Sequence, residues 1–142
     1  MANALFGPGR EGFLAGEIDW DTAVIKASLI RSYTFASANK FVDQVVAAGG
    51  VQVATSTAFT SKTVTNGTAD AADVTFTAVA AGAAVTGVLI FQSSAVGGGG
   101  DVPTSAQRVI AYIDTATNLP VTPNGGDITI TWDNGANKIF TL

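Results

Sequence analysis

Residues 108–142 constrain this chain more than any other stretch, because their side chains alternate and their turns leave little choice of conformation. Val109, Ala111 and Ile113 alternate with Ile110, Tyr112 and Asp114, which places the two sets on opposite faces of a strand. Asn124-Gly125-Gly126 supplies positive φ at a turn, and the two-residue period resumes over 127–132. Asp133-Asn134-Gly135 then turns the chain, and residues 138–142 are predicted to return as a final strand that ends inside a hairpin.

Similar short runs precede this stretch. In residues 24–30, Ile25, Ala27 and Leu29 face one side and Lys26 and Ser28 the other. Residues 51–59, 62–65 and 73–79 are predicted as further strands, with Asn66-Gly67 a strong hairpin turn. Residues 83–91 are apolar on both faces, as suits a central strand. Residues 39–48 predict the one helix: Phe41, Val42, Val45 and Val46 form a stripe, Ser37 or Asn39 caps its start, and Gly49-Gly50 ends it. Seven or eight short strands with one short helix predict a mainly β fold, an antiparallel β-sandwich or open barrel. This single β-rich domain spans 17–142. Residues 1–16 precede it as an N-terminal arm or short helix. Proline in a helix interior costs ~3 kcal/mol, so Gly7-Pro8-Gly9 predicts a broken helix or an extended arm that grips a neighbour.

Composition narrows the chemistry. With 142 residues the chain can bury one core without disulfides or a metal. It has no cysteine and no histidine, which removes thiolate and imidazole metal sites, Ser-His and Cys-His nucleophiles and imidazole acid–base catalysis together. Only 13% of residues are charged, against about a quarter in an average chain, and the net charge is −4. The seven basic residues are scattered, so no stripe exists to neutralise phosphates, and nucleic acid is not an expected partner. A hydrophobic fraction of 47% with so few charges predicts surface covered by copies of the chain or by a partner. No membrane partner is expected: the most apolar segment, 78–91, is shorter than the ~20 residues a span requires. The opening residues lack the basic and apolar regions of a secretory signal.

Local constellations add little. Asp19 and Asp21, with Glu17, are the best candidates for paired carboxylates, but solvated residues approaching a strand explain them as well. Asp133, Asn134, Gly135 and Asn137 have oxygen-rich spacing without the closing glutamate of a calcium loop, and turn chemistry accounts for them. Trp20, Tyr33, Phe35 and Trp132 read as core rather than as a stacking platform. Gly97 to Gly100 predicts a flexible loop; with Asp101 following and no Lys-Ser or Lys-Thr, it is not a phosphate cradle. No cofactor, metal or catalytic residue is expected.

Taken whole, the sequence resembles a family of small virion-associated proteins encoded among the head genes of tailed bacteriophages. The likeness is carried by Met1-Ala2-Asn3-Ala4-Leu5, Gly9-Arg10-Glu11, Phe13-Leu14 and Gly16-Glu17-Ile18-Asp19-Trp20. In the middle it is carried by Ala54-Thr55-Ser56, by residues 62–67 and by residues 73–78. Toward the end, residues 110–114, 119–127, Trp132-Asp133-Asn134-Gly135 and Asn137-Lys138-Ile139-Phe140 fit best. It covers nearly the full length and is one of pattern, not of a catalytic signature. Two departures stand out, the Gly7-Pro8-Gly9 interruption and the length of the Gly97 to Gly100 loop. The resemblance implies a head decoration, or cement, protein that is not an enzyme. Such a protein is made in the bacterial host cytoplasm and carried on the virion head surface, bound to the major capsid protein as a homotrimer. Leu5, Phe6, Arg10, Phe13, Leu14 and Trp20 are then the expected capsid-facing or self-interface residues. A tail, baseplate or fibre component, one that binds glycans included, is the alternative. A polysaccharide-degrading enzyme built on Glu17, Asp19 and Asp21 is the third.

Overall fold

A strand that is apolar on both faces must lie between two covering layers. In the computed structural model, which describes residues 3–142, two such strands lie side by side at the centre. The described residues form twelve strands and two helices. In chain order they begin β1 (Ala4–Leu5), α1 (Gly7–Leu14), β2 (Ile25–Arg31), α2 (Val42–Ala47), β3 (Val51–Thr55), β4 (Thr63–Thr65) and β5 (Thr68–Asp70). They continue β6 (Val74–Phe76), β7 (Gly87–Gln92), β8 (Ser94–Ala95), β9 (Gly98–Asp101), β10 (Arg108–Ile113), β11 (Ile128–Ile130) and β12 (Phe140–Thr141).

The main sheet has the order β1-β10-β7-β2-β3, every pair antiparallel. All six residues of β7 and all six of β10 are buried. On one face, Ile25, Ala27, Leu29, Val88 and Ile90 meet a second layer made by the β11-β6 and β12-β5-β4 sheets, whose Phe76, Ile130 and Trp132 complete the core. On the other face, Leu89, Phe91, Val109 and Tyr112 pack with Phe6, Tyr33, Val42 and Val45. A bulge between Val109 and Ala111 lets Ile110 and Ala111 both join the first cluster. The fold is therefore mainly β and antiparallel, in layers, as the strand pattern predicts.

The small strands are matched by uncharged hydroxyl pairs. Thr68 meets Thr141 at 2.9 Å, Thr75 meets Thr129 at 2.9 Å, and on the main sheet Ser28 meets Thr55 at 2.8 Å. Asn66 and Gly67, with φ of 51° and 78°, form the two-residue turn between β4 and β5.

Several expectations are corrected. Pro8 does not break the opening helix, because it stands in the first turn of α1, where a missing N–H costs nothing. The glycines around it are there for contact: a Cβ on Gly9 would lie 2.9 Å from the Val109 carbonyl oxygen and 3.0 Å from that of Ile110. One turn on, a Cβ on Gly12 would lie 2.6 Å from both Arg108 Nη2 and Ile18 Cδ1. The opening segment is thus no free arm. β1 pairs with β10, and the Asn3 side chain accepts hydrogen bonds from the Asp114 and Thr115 N–H groups at 3.1 and 3.2 Å.

The three C-terminal runs do not pair with one another. β10 joins β7 and β1, β11 joins β6, and β12 joins β5, so the last strand is not half of a hairpin with β11. α2 starts later than expected, with neither Ser37 nor Asn39 as its cap. Asn39 instead accepts the Tyr33 hydroxyl at 2.7 Å, while Gln44 reaches back to the Lys40 N–H at 2.6 Å. Val42 and Val45 are buried, but Val46 is exposed. The glycine loop is an ordered β8–β9 hairpin, pinned by Lys26 Nζ, which lies 2.8 and 3.0 Å from the Asp101 carboxylate oxygens.

Replacing Gly9 with alanine is expected to cost about 1–3 kcal/mol, because the helix must lift off the β10 backbone. Urea denaturation of the Gly9→Ala variant checks this; a wild-type midpoint would mean that α1 is not held against the sheet.

Candidate functional site

The three carboxylates that sequence places together are separated by the fold. Residues 17–22 are not a strand, so the alternation that would align Asp19 and Asp21 does not apply. Asp19 Oδ1 accepts the N–H groups of Asp21 and Thr22 at 2.9 and 3.1 Å, and Oδ2 accepts the Thr22 hydroxyl at 2.6 Å. These bonds, the Thr22 hydroxyl first, hold its carboxyl below the ordinary 3.8. Asp19 therefore shapes its own turn. Glu17 points elsewhere, to Arg108. Among the described residues no three acidic side chains come together to hold a metal ion. Asp133 likewise closes its own turn, accepting the Gly135 N–H at 2.9 Å.

Arg108 is the buried charge of the molecule, its side chain only 7% exposed at the start of β10. Its Nη1 pairs with the Glu17 carboxylate, its Nη2 donates to the Pro8 carbonyl at 2.7 Å, and its guanidinium lies 5.8 Å from the Phe41 ring. One side chain thus ties α1, the turn after it and the residue before α2 to the central sheet. Its role is fastening; a buried cation held by a carboxylate, a carbonyl and a ring face is already satisfied on three sides.

Beside this fastening lies the most distinctive surface, an apolar groove of about 290 Å³. Its walls come from four distant segments: Phe13 of α1, Val64 of β4, Val96 between β8 and β9, and Phe140 and Leu142 at the end of the chain. Trp20 forms the floor, 5.2 Å edge-on from Phe140 and 6.0 Å from Phe59. Asp19 and Asp21 stand at the rim. Val64, Val96 and Leu142 are among the few large apolar side chains in contact with water, and Leu14, next to the groove in sequence, is 91% exposed.

The six expected interface residues divide. Phe13 lines the groove, Leu14 projects beside it and Arg10 is exposed one turn earlier on α1. Leu5 is half-buried against the core. Phe6, fully buried and 4.9 Å from Phe35, and Trp20, 4% exposed, are core residues and cannot themselves face a partner broadly. Both indoles direct their N–H inward, Trp20 to the Asp70 carbonyl and Trp132 to that of Ala72. Val64, Val96, Phe140 and Leu142 were missed by sequence reasoning. Only an exposed position for a large apolar residue marks them, and that is set by tertiary placement.

No family model, no curated protein and no solved structure matches this chain.

Asp19 and Asp101 generate a pH dependence. Asp101 is also held below 3.8, chiefly by Lys26 and then by Ser93. A carboxyl with a folded pKa below its unfolded value adds stability that is full above about 3.8 and lost as pH falls through the folded value. Thermal melts followed by circular dichroism should therefore show a drop in Tm between about pH 5 and pH 2.5 that is smaller in Asp19→Asn and Asp101→Asn than in wild type. Near neutrality the Asp101→Asn variant should lose no more than about 1 kcal/mol, since the Lys26 pair is open to water.

Proposed function

We propose that this protein is a bacteriophage head decoration, or cement, protein that binds the outside of the shell and stabilises contacts between capsomers of the major capsid protein. The reading starts from the motifs that resemble the phage virion family. The observation that carries it is the surface around the groove: apolar residues from four separate segments, with Leu14 projecting beside them, mounted on a sheet buried on both faces.

Such a protein acts by shape and buried area. A stable contact takes roughly 800 Å² from each partner. The described surface totals 6573 Å², so bridging two capsomers would occupy about a quarter of it. With two neighbours held at once, the cost of positioning the second is lowered by attachment to the first. Rigidity favours this work, because a surface that is already ordered loses less freedom on binding. The Trp20–Phe140–Phe13 ring contacts and the Arg108 fastening supply that order beneath the groove.

In this reading the protein makes and breaks no bond and needs no cofactor. Its carboxylates are employed in turns and ion pairs, and a single aspartate, Asp21, stands free of hydrogen bonds at the groove rim. A glycan-binding tail or fibre module would stack sugars on exposed aromatic faces, whereas both tryptophans here are 5% exposed or less, which favours the head-shell role. The homotrimer that the resemblance implies belongs to the same proposal.

A cryo-EM map of the virion is expected to place the chain on the outside of the head shell, at capsomer junctions. Heads lacking it should lose their contents at lower temperature or milder osmotic shock. Density on the tail alone, or heads of unchanged resistance, would overturn the proposal.

A further inference from the structure

We propose that the groove beside α1 receives a second copy of this chain, with Leu14 and Arg10 of one molecule seated in the groove of the next. Leu14 is the most exposed of the large apolar residues, at 91%, and stands at the end of α1 rather than on a loop that could fold over it. Arg10 lies four residues earlier, on the same outward face of the helix, and is also exposed. No ion pair or hydrogen bond joins its side chain to another described residue. Together they form a projection with an apolar end and a positive charge one turn away.

The groove answers both features. Val64, Val96 and Leu142 offer exposed apolar walls over the Trp20 floor, and 290 Å³ has room for the leucine side chain. Asp21 at the rim carries an exposed carboxylate that accepts no hydrogen bond within the described residues. The nearest cation acting on it is Lys62, whose ammonium is already committed to the Ala23 carbonyl at 2.6 Å. One surface therefore holds an unfilled apolar socket beside a carboxylate and an apolar knob beside a cation. A foreign partner would have to supply both complements; a second copy has both. The rotation between copies then decides how many close the assembly, and a ring of three is one solution. This contact deepens the cement reading by naming the self-interface, but it uses no shell and stands if shell binding fails.

Sedimentation equilibrium of the full chain across micromolar to millimolar concentration tests it. Reversible self-association is expected, weakened about tenfold or more by Leu14→Ala, which keeps a good helix former and removes only the knob. Arg10→Glu and Asp21→Arg should each weaken it, and the Arg10→Glu/Asp21→Arg double variant should recover it, because the charges exchange places. Circular dichroism on each variant verifies the fold, and Val64→Lys provides an independent change on the socket side. A wild type that is monomeric throughout overturns the proposal. So does association that Leu14→Ala and Val64→Lys leave unchanged, or a double variant no tighter than its parents.

Discussion

Burial of β7 and β10 on both faces is the constraint on which the remaining architecture depends. Twelve consecutive-in-strand positions without a solvated side require two coverings, and the chain provides them from different materials. One is a pair of small sheets built from 3- and 2-residue strands. The other is α2 with the aromatic residues before it. Short strands of that kind are marginal alone, since they offer few backbone bonds and little buried area. They persist because the central sheet gives their inward side chains somewhere dry to go.

The packing of α1 follows from the same economy of space. β10 is flanked by an edge strand of two residues, and a helix with side chains on its inner face would stand away from that edge. Gly9 and Gly12, three apart, remove the obstruction and bring helix backbone to sheet backbone. Arg108 can then reach the Pro8 carbonyl directly. A residue pattern that weakens an isolated helix is here the condition for docking one, with tertiary contact outweighing intrinsic preference.

This explains what was legible in the sequence. β2, β7 and β10 were readable from the alternation or continuity of their apolar residues, and Asn66-Gly67 from the turn that only such a pair adopts easily. Pro8 was misread because the position of a proline within a helix, not its presence, decides its effect. The pairing of the last three strands was hidden because alternation specifies faces and says nothing about neighbours; β11 and β12 each found partners some fifty to seventy residues away. Of the candidate surface, Phe13 and Leu14 were legible because they are adjacent on one helix. Val64, Val96 and Leu142 were not, since only folding brings them together, and Phe6 and Trp20 were misplaced because a large apolar residue near the start of a chain looks the same whether it will be core or contact.

The matched hydroxyls of Thr68 with Thr141, Thr75 with Thr129 and Ser28 with Thr55 carry a further implication. Each joins two strands through groups that neither ionise in the ordinary range nor attract counterions. Brine and dilute acid, which weaken attractions between opposite charges, have no purchase on them. The molecule can therefore let its surface turns relax in a harsh medium while the alignment of one strand on the next holds, a useful division for anything that must keep its shape in waters it does not choose.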